Sequence, residues 1–168
     1  NKEYAEKISF IQNAVGAVPS PFDCYLLTRS IKTLSVRMKQ HNENAIAVSN
    51  YLSNHPKIEK VFFPGNDKRH KEIAEKQMDG FGGMMSFVID SDINGVKTFL
   101  KNLNLFTLAE SLGGVESLIE HPAIMTHASI DPSIREKLGI SETLLRISVG
   151  IEDVDDLISD LDQALSKI

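Results

Sequence analysis

The sequence predicts an α/β fold of the α+β kind, one small sheet covered by helices behind long connecting helices. Three observations lead there. Short apolar runs alternate with helix-period segments between residues 57 and 168, proline or glycine closes most of them, and a long helical stripe precedes them all.

In chain order, Pro19-Ser20-Pro21 is the first punctuation. Ser20 suits a helix N-cap, Pro21 the first helical position and Asp23 the reciprocal cap site. A helix is therefore expected from Pro21 to about Arg29, carrying Phe22, Tyr25 and Leu26. Leu34, Met38, Ala45, Val48 and Leu52 extend a helical stripe to His55-Pro56, because the residue before a proline disfavours the α region. Lys57 to Phe63 reads as a strand and His70 to Met78 as a short helix, which Gly80-Phe81-Gly82-Gly83 ends in a tight turn. Met84 to Ile89 and Leu105 to Leu108 read as strands on either side of a helix from Asp92 to Leu103. Asp131-Pro132 opens a helix to Leu138, Leu144 to Val149 is a strand, and Asp153 caps the last helix. There Val154, Leu157, Ile158, Leu161, Leu165 and Ile168 share one face. The organisation expected is a helical connecting segment, residues 1–56, followed by an α/β domain, residues 57–168.

Composition narrows the function classes. The 168 residues are 42% hydrophobic and 24% charged, enough to bury a core. Eighteen Lys and Arg stand against 23 Asp and Glu, a net charge of −5. Without a basic excess to neutralise phosphates, no nucleic-acid partner and no anionic membrane surface are expected. No apolar stretch approaches the ~20 residues of a membrane span. A lone cysteine, Cys24, makes no internal disulfide and suits a reducing compartment, so a cytoplasmic setting is expected. Cys24 itself, between Phe22 and Tyr25, reads as a packed thiol, and Met84 and Met85 read as core. The sequence shows no signal peptide and no initiating Met, and reads as a processed chain or a piece of a longer one.

Arg146 is the most informative residue. Alternation along Leu144-Leu145-Arg146-Ile147-Ser148-Val149 puts Leu145, Ile147 and Val149 on one face and Arg146 on the other with Leu144 and Ser148. A guanidinium inside an apolar strand needs an anionic partner. That partner is either an incoming carboxylate or phosphate, which its fork fits, or one of the chain's own acids. The segment Ala109 to Leu118 follows a strand, and its glycines either turn amides towards an anion or form an ordinary turn. His121 and His127 match no zinc spacing and read as hydrogen-bonded loop histidines.

Several longer segments carry a resemblance. Ala17 to Leu26, Lys32-Thr33-Leu34, Arg37-Met38, His41, Asn44-Ala45, Gly82-Gly83-Met84, Leu105 to Leu118, His121 to Ala128, Leu145 to Glu152 and Asp156-Leu157 run in one order along nearly the whole chain. Together they resemble the C-terminal part of the pyridoxal-phosphate (PLP) enzymes of cysteine and methionine metabolism. This is the transsulfuration group of cystathionine γ-lyase, γ-synthase and β-lyase, with methionine γ-lyase. The resemblance implies the C-terminal domain of a fold-type I PLP enzyme, with γ-lyase activity first and the other three as alternatives. It implies PLP as cofactor, a sulfur-containing amino acid as substrate, the enzyme's own N-terminal domain as partner and a homotetramer. Arg146 is implied to clamp the substrate α-carboxylate, and Ser111 to offer its backbone and hydroxyl to the same group. Thr126 is implied to hold that arginine, and Glu110 to face the substrate's side-chain end. Fixing the carboxylate sets which bond at Cα is broken, and PLP takes up its electrons.

The family's Ser-Ala-Thr-Lys segment, with the cofactor lysine, does not occur in this sequence, so the 168 residues alone are expected to be inactive. Ser30 stands where the family usually has glycine, and Pro64 to His70 lacks the usual His-Pro. Outside catalysis, the residues leave open a domain kept for assembly or a small-anion binding module.

Overall fold

A computed structural model describes residues 1–66 and 68–168; Asp67, part of the unusual 64–70 segment, lies outside the described residues. The chain divides into two compact units, Asn1–Ser35 and Val36–Ile168.

The first unit contains α1 (Lys2–Val15) and α2 (Pro21–Ile31). α1 was not legible in advance. Its cap is the first residue, whose side chain accepts from the Glu3 amide, and it ends at Gly16 in the left-handed region. α2 has the expected capping box between Ser20 and Asp23. No residue of this unit is buried, so Cys24 is exposed and the packed-thiol reading is corrected: there is no core here to pack it into.

The second unit holds the sheet. Its strands are β1 (Ile58–Phe62), β2 (Met84–Ile89), β3 (Thr107–Leu108), β4 (Leu118–Glu120) and β5 (Leu144–Ser148), in spatial order β1-β2-β5-β4-β3. All neighbours pair antiparallel except β3 and β4, which are parallel. Around the sheet lie α3 (Leu34–Ser53), α4 (Lys68–Gln77), α5 (Ile93–Asn102), α6 (Pro132–Lys137) and α7 (Val154–Leu165). The α/β fold is therefore the one expected from the alternation of elements.

One sheet face makes the core. Met85, Phe87, Ile89, Ile119, Leu145 and Ile147 are buried with Val96 and Phe99 of α5 and Leu157, Leu161 and Leu165 of α7. Ala45, Val48 and Leu52 of α3 join the same cluster, so this helix belongs to the α/β unit from Val36 onward. The division between units thus falls at 35/36, ahead of the 56/57 boundary drawn from the proline. The α3 stripe is continuous in sequence, but only its later turns meet the sheet. Gly82, in the left-handed region, turns the chain into β2 as its glycine cluster suggested.

Two buried polar groups fix the segment that follows α5. Asp160 of α7 accepts from the backbone amides of Asn104 (2.8 Å), Leu105 (2.8 Å) and Phe106 (3.1 Å). It closes the turn that leads into β3. Burial raises the Asp160 pKa, but the three amide donors outweigh it and leave the carboxyl below its ordinary value. At the other end, the Ser117 amide and hydroxyl donate to the Glu152 carboxylate at 2.6 and 3.0 Å, and the Gly150 amide donates to the Ser117 hydroxyl at 2.8 Å. A side chain at Gly150 would strike the Val115 carbonyl, so only glycine allows this close crossing.

Candidate functional site

The sheet face opposite the core presents Arg146. Antiparallel register sets it directly between Ser86 of β2 and Glu120 of β4. Its Nη2 forms an ion pair with Glu120 Oε2. The Arg146 side chain is 24% exposed and that of Glu120 1%. Of the two partners left open by the residues, the internal acid is therefore present, and it was the residue missed. Directly opposed opposite charges on neighbouring strands stabilise the pairing. No feature of the Leu118-Ile119-Glu120 triplet marks it as a strand, so the register that pairs them was not legible.

Glu120 is held in turn. The Thr126 hydroxyl donates to Glu120 Oε1. Since that spends the only hydroxyl proton, the Thr126–His127 contact at 2.8 Å runs from His127 Nδ1–H to Thr126 Oγ. Thr126 thus touches the arginine's partner and not the arginine.

The ion pair does not use up Arg146. Nη2 also donates to the Ser111 carbonyl at 3.3 Å, while Nε and Nη1 meet no acceptor among the described residues. The guanidinium is thus reachable from one side. Ser111 and Glu110 lie next to each other on the exposed loop after β3, and the Ser111 hydroxyl has no protein partner among the described residues. The loop is fixed beyond them by Gly113, whose backbone is left-handed (φ 76°) and whose amide donates to the Ser148 hydroxyl at 2.8 Å. Beside Gly113 and Ser148, a cavity of about 310 Å³ is lined largely by apolar groups, including Leu112, Met84, Met38 and Phe81. His41 Nδ1 donates to the Val149 carbonyl at 2.7 Å, and the Asn44 amide to the carbonyls of Gly150 and Glu152. These bonds tie α3 to the end of β5.

The structure therefore brings Arg146 and the Ser111 backbone together, links Thr126 through Glu120, and leaves Glu110 exposed beside them. The open N–H groups of the Arg146 guanidinium are donors of the kind a carboxylate accepts from. Among the described lysines only Lys57 is not exposed, and it donates to the Leu165 and Ile168 carbonyls. His121 is a buried, hydrogen-bonded histidine whose Nε2 donates to the Glu142 carbonyl at 2.8 Å. Among the described residues no three His, Cys, Asp or Glu side chains come together as a metal site, and no helix is long and apolar enough to cross a membrane.

Known proteins resemble the chain over its whole length. It is 55% identical over 169 residues to cystathionine gamma-lyase of Dictyostelium discoideum, covering 99% of this chain and 43% of that protein. It is 52% identical over 167 residues to cystathionine beta-lyase of Coxiella burnetii, covering 98% and 43%. The crystal structure of cystathionine gamma-lyase from Lactobacillus plantarum complexed with L-serine superposes with a TM-score of 0.89 at 44% identity, covering all of this chain and 44% of that one. A cystathionine gamma synthase from Xanthomonas oryzae in complex with cystathionine gives 0.89 and 44%, with 99% and 43% covered. The chain thus spans about two fifths of the length of these relatives. The sequence model described as Cys/Met metabolism PLP-dependent enzyme matches residues 1–166. With the family's sequence pattern matched over residues 1–166 and the fold shared over the whole chain, the chain belongs to the Cys/Met metabolism PLP-dependent enzyme family.

Proposed function

We propose that this chain is the part of a PLP-dependent transsulfuration enzyme that binds the substrate's α-carboxylate, and that the whole protein is a cystathionine γ-lyase. In this reading cystathionine and water give cysteine, 2-oxobutanoate and ammonia, the reaction being carried out by a cytoplasmic homotetramer. PLP is held by residues outside these 168, and the chain by itself is inactive. The observation that carries the proposal is the half-used guanidinium of Arg146, reachable from solvent in an otherwise buried strand, with Nε and Nη1 open. Arg146 binds the carboxylate and fixes the orientation of Cα. The Ser111 loop closes one side, and Glu110 meets the distal end of the substrate.

The test is steady-state kinetics of the full-length protein. Arg146→Ala is expected to raise KM for cystathionine about 10- to 100-fold, since a hydrogen bond to a charged group contributes about 1.5–3 kcal/mol. Unchanged constants remove Arg146 from the site. Comparing cystathionine, cysteine, methionine and an activated homoserine decides between γ-lyase and the γ-synthase, β-lyase and methionine γ-lyase alternatives.

A further inference from the structure

The ion pair raises a question of charge. An arginine that serves a substrate carboxylate is here already neutralised by an acid of its own chain. Either Glu120 leaves when substrate arrives, or it stays and the carboxylate binds a cation whose charge is largely cancelled.

The geometry favours the second. Glu120 is essentially inaccessible, stands directly across the β4–β5 ladder from Arg146, and has its other oxygen bound by Thr126. Swinging it out would strand a buried carboxylate without its cation, which costs several kcal/mol. The Ser111 contact is different in kind. It is a neutral carbonyl on an exposed loop at 3.3 Å, near the long limit of a hydrogen bond. Nη2 carries two N–H groups, and in the guanidinium fork it belongs to both edges that can grip a carboxylate through two nitrogens. Glu120 lies against Nη2 as an ion pair and Ser111 takes one of its hydrogens, so two-point binding that uses Nη2 crowds both, and one of them yields. The weaker partner is the carbonyl.

We infer that Glu120 is a positioning residue that remains on Arg146 while substrate is bound, and that the substrate carboxylate replaces the Ser111 carbonyl on Nη2. This rests on the reading of Arg146 proposed above. Glu120 then has two opposed effects. It holds the guanidinium in one orientation, which favours the reactive alignment of the substrate, and it repels the incoming carboxylate.

The consequence is a split between the two kinetic constants. In the full-length enzyme with cystathionine, Glu120→Gln keeps the side chain's shape and removes its charge. It is expected to lower KM about three- to tenfold, because a nearby negative charge is gone. It is also expected to lower kcat about tenfold, because the fork is no longer aligned. Butyrate, a carboxylate without an amino group, is expected to inhibit this variant several-fold more tightly than wild type. Thr126→Val keeps the charge and loosens its anchor; kcat falls while KM and butyrate inhibition stay within about twofold of wild type. A merely structural role for Glu120 would raise KM or leave both constants alone, and either result for Glu120→Gln overturns the inference. Should that variant fail to fold, Thr126→Val decides: wild-type kcat overturns the inference. If Arg146→Ala leaves KM unchanged, the carboxylate site itself is wrong. If it raises KM while Glu120→Gln behaves as wild type, only the counter-charge is wrong.

Discussion

Glu120 and His121 are sequence neighbours, both buried, and their surroundings treat them oppositely. Glu120 is paired with the Arg146 guanidinium across the β4–β5 ladder. His121 donates through Nε2 to the Glu142 carbonyl, and its Nδ1 is buried without a hydrogen-bond partner among the described residues. That pattern fixes the neutral ring. Burial lowers the pKa of His121 below the ordinary 6.5, and the positive charges of Lys97 and Arg135 add to the shift, against the opposing pull of Glu142. The unfolded chain takes up this proton near pH 6.5 and the folded chain resists it, so the unfolded state binds more protons as acid is added. Stability is therefore complete above about 6.5 and is lost as the pH falls towards the lowered folded value. His121→Gln, which can keep a donor on the Glu142 carbonyl, is expected to flatten this part of the profile. Urea midpoints measured between pH 7.5 and 5 would show it, and identical slopes for the two proteins would rule His121 out as the source.

At the scale of elements, most of the periodic ones were legible, α1 excepted, and the short ones were not. Leu157, Leu161 and Leu165 of α7 are buried as their spacing required, and the alternation in β5 places Leu145 and Ile147 in the core and Arg146 outside it. β4 is three residues long and wholly buried, so it shows no alternation to read. β3 is shorter still, and Leu105 and Phe106 ahead of it belong to the turn. What holds this turn is Asp160, a residue on the edge of the α7 apolar stripe whose three amide donors lie more than fifty positions away. Such a link cannot be inferred from spacing. The same limit hid the Glu120 partner of Arg146: chemistry demanded an anion there, but only strand register says which one. Asp160→Asn puts an amide where a charged acceptor served three N–H groups, and should cost about 1.5–3 kcal/mol. Because that turn launches β3 and the loop bearing Ser111, the variant should also raise KM in the full-length enzyme. Chemical denaturation and kinetics check the two effects separately, and unchanged stability would show that the turn closes without the carboxylate.

For the whole molecule, the uneven distribution of burial predicts uneven stability. In residues 36–168 a single cluster joins α3, α5 and α7 to one face of the sheet. In residues 1–35 nothing is buried, although Tyr4, Ile8, Ile11 and Val15 line one face of α1 and Phe22, Tyr25, Leu27 and Ile31 are exposed on α2. Helices of 14 and 11 residues without a packed face are marginal in water, since their stability in proteins comes mainly from tertiary packing. The first unit should therefore open at a small fraction of the free energy that unfolds the second. Limited proteolysis of the 168-residue chain is expected to cut first within residues 1–35 and leave a resistant fragment beginning near Val36. A chain shortened to residues 36–168 should unfold with nearly the same urea midpoint as the core of the longer one. Mass spectrometry of the early fragments reads the outcome. Initial cleavage inside the sheet, or a large loss of stability on shortening, would mean that α1 and α2 contribute to the fold of the second unit.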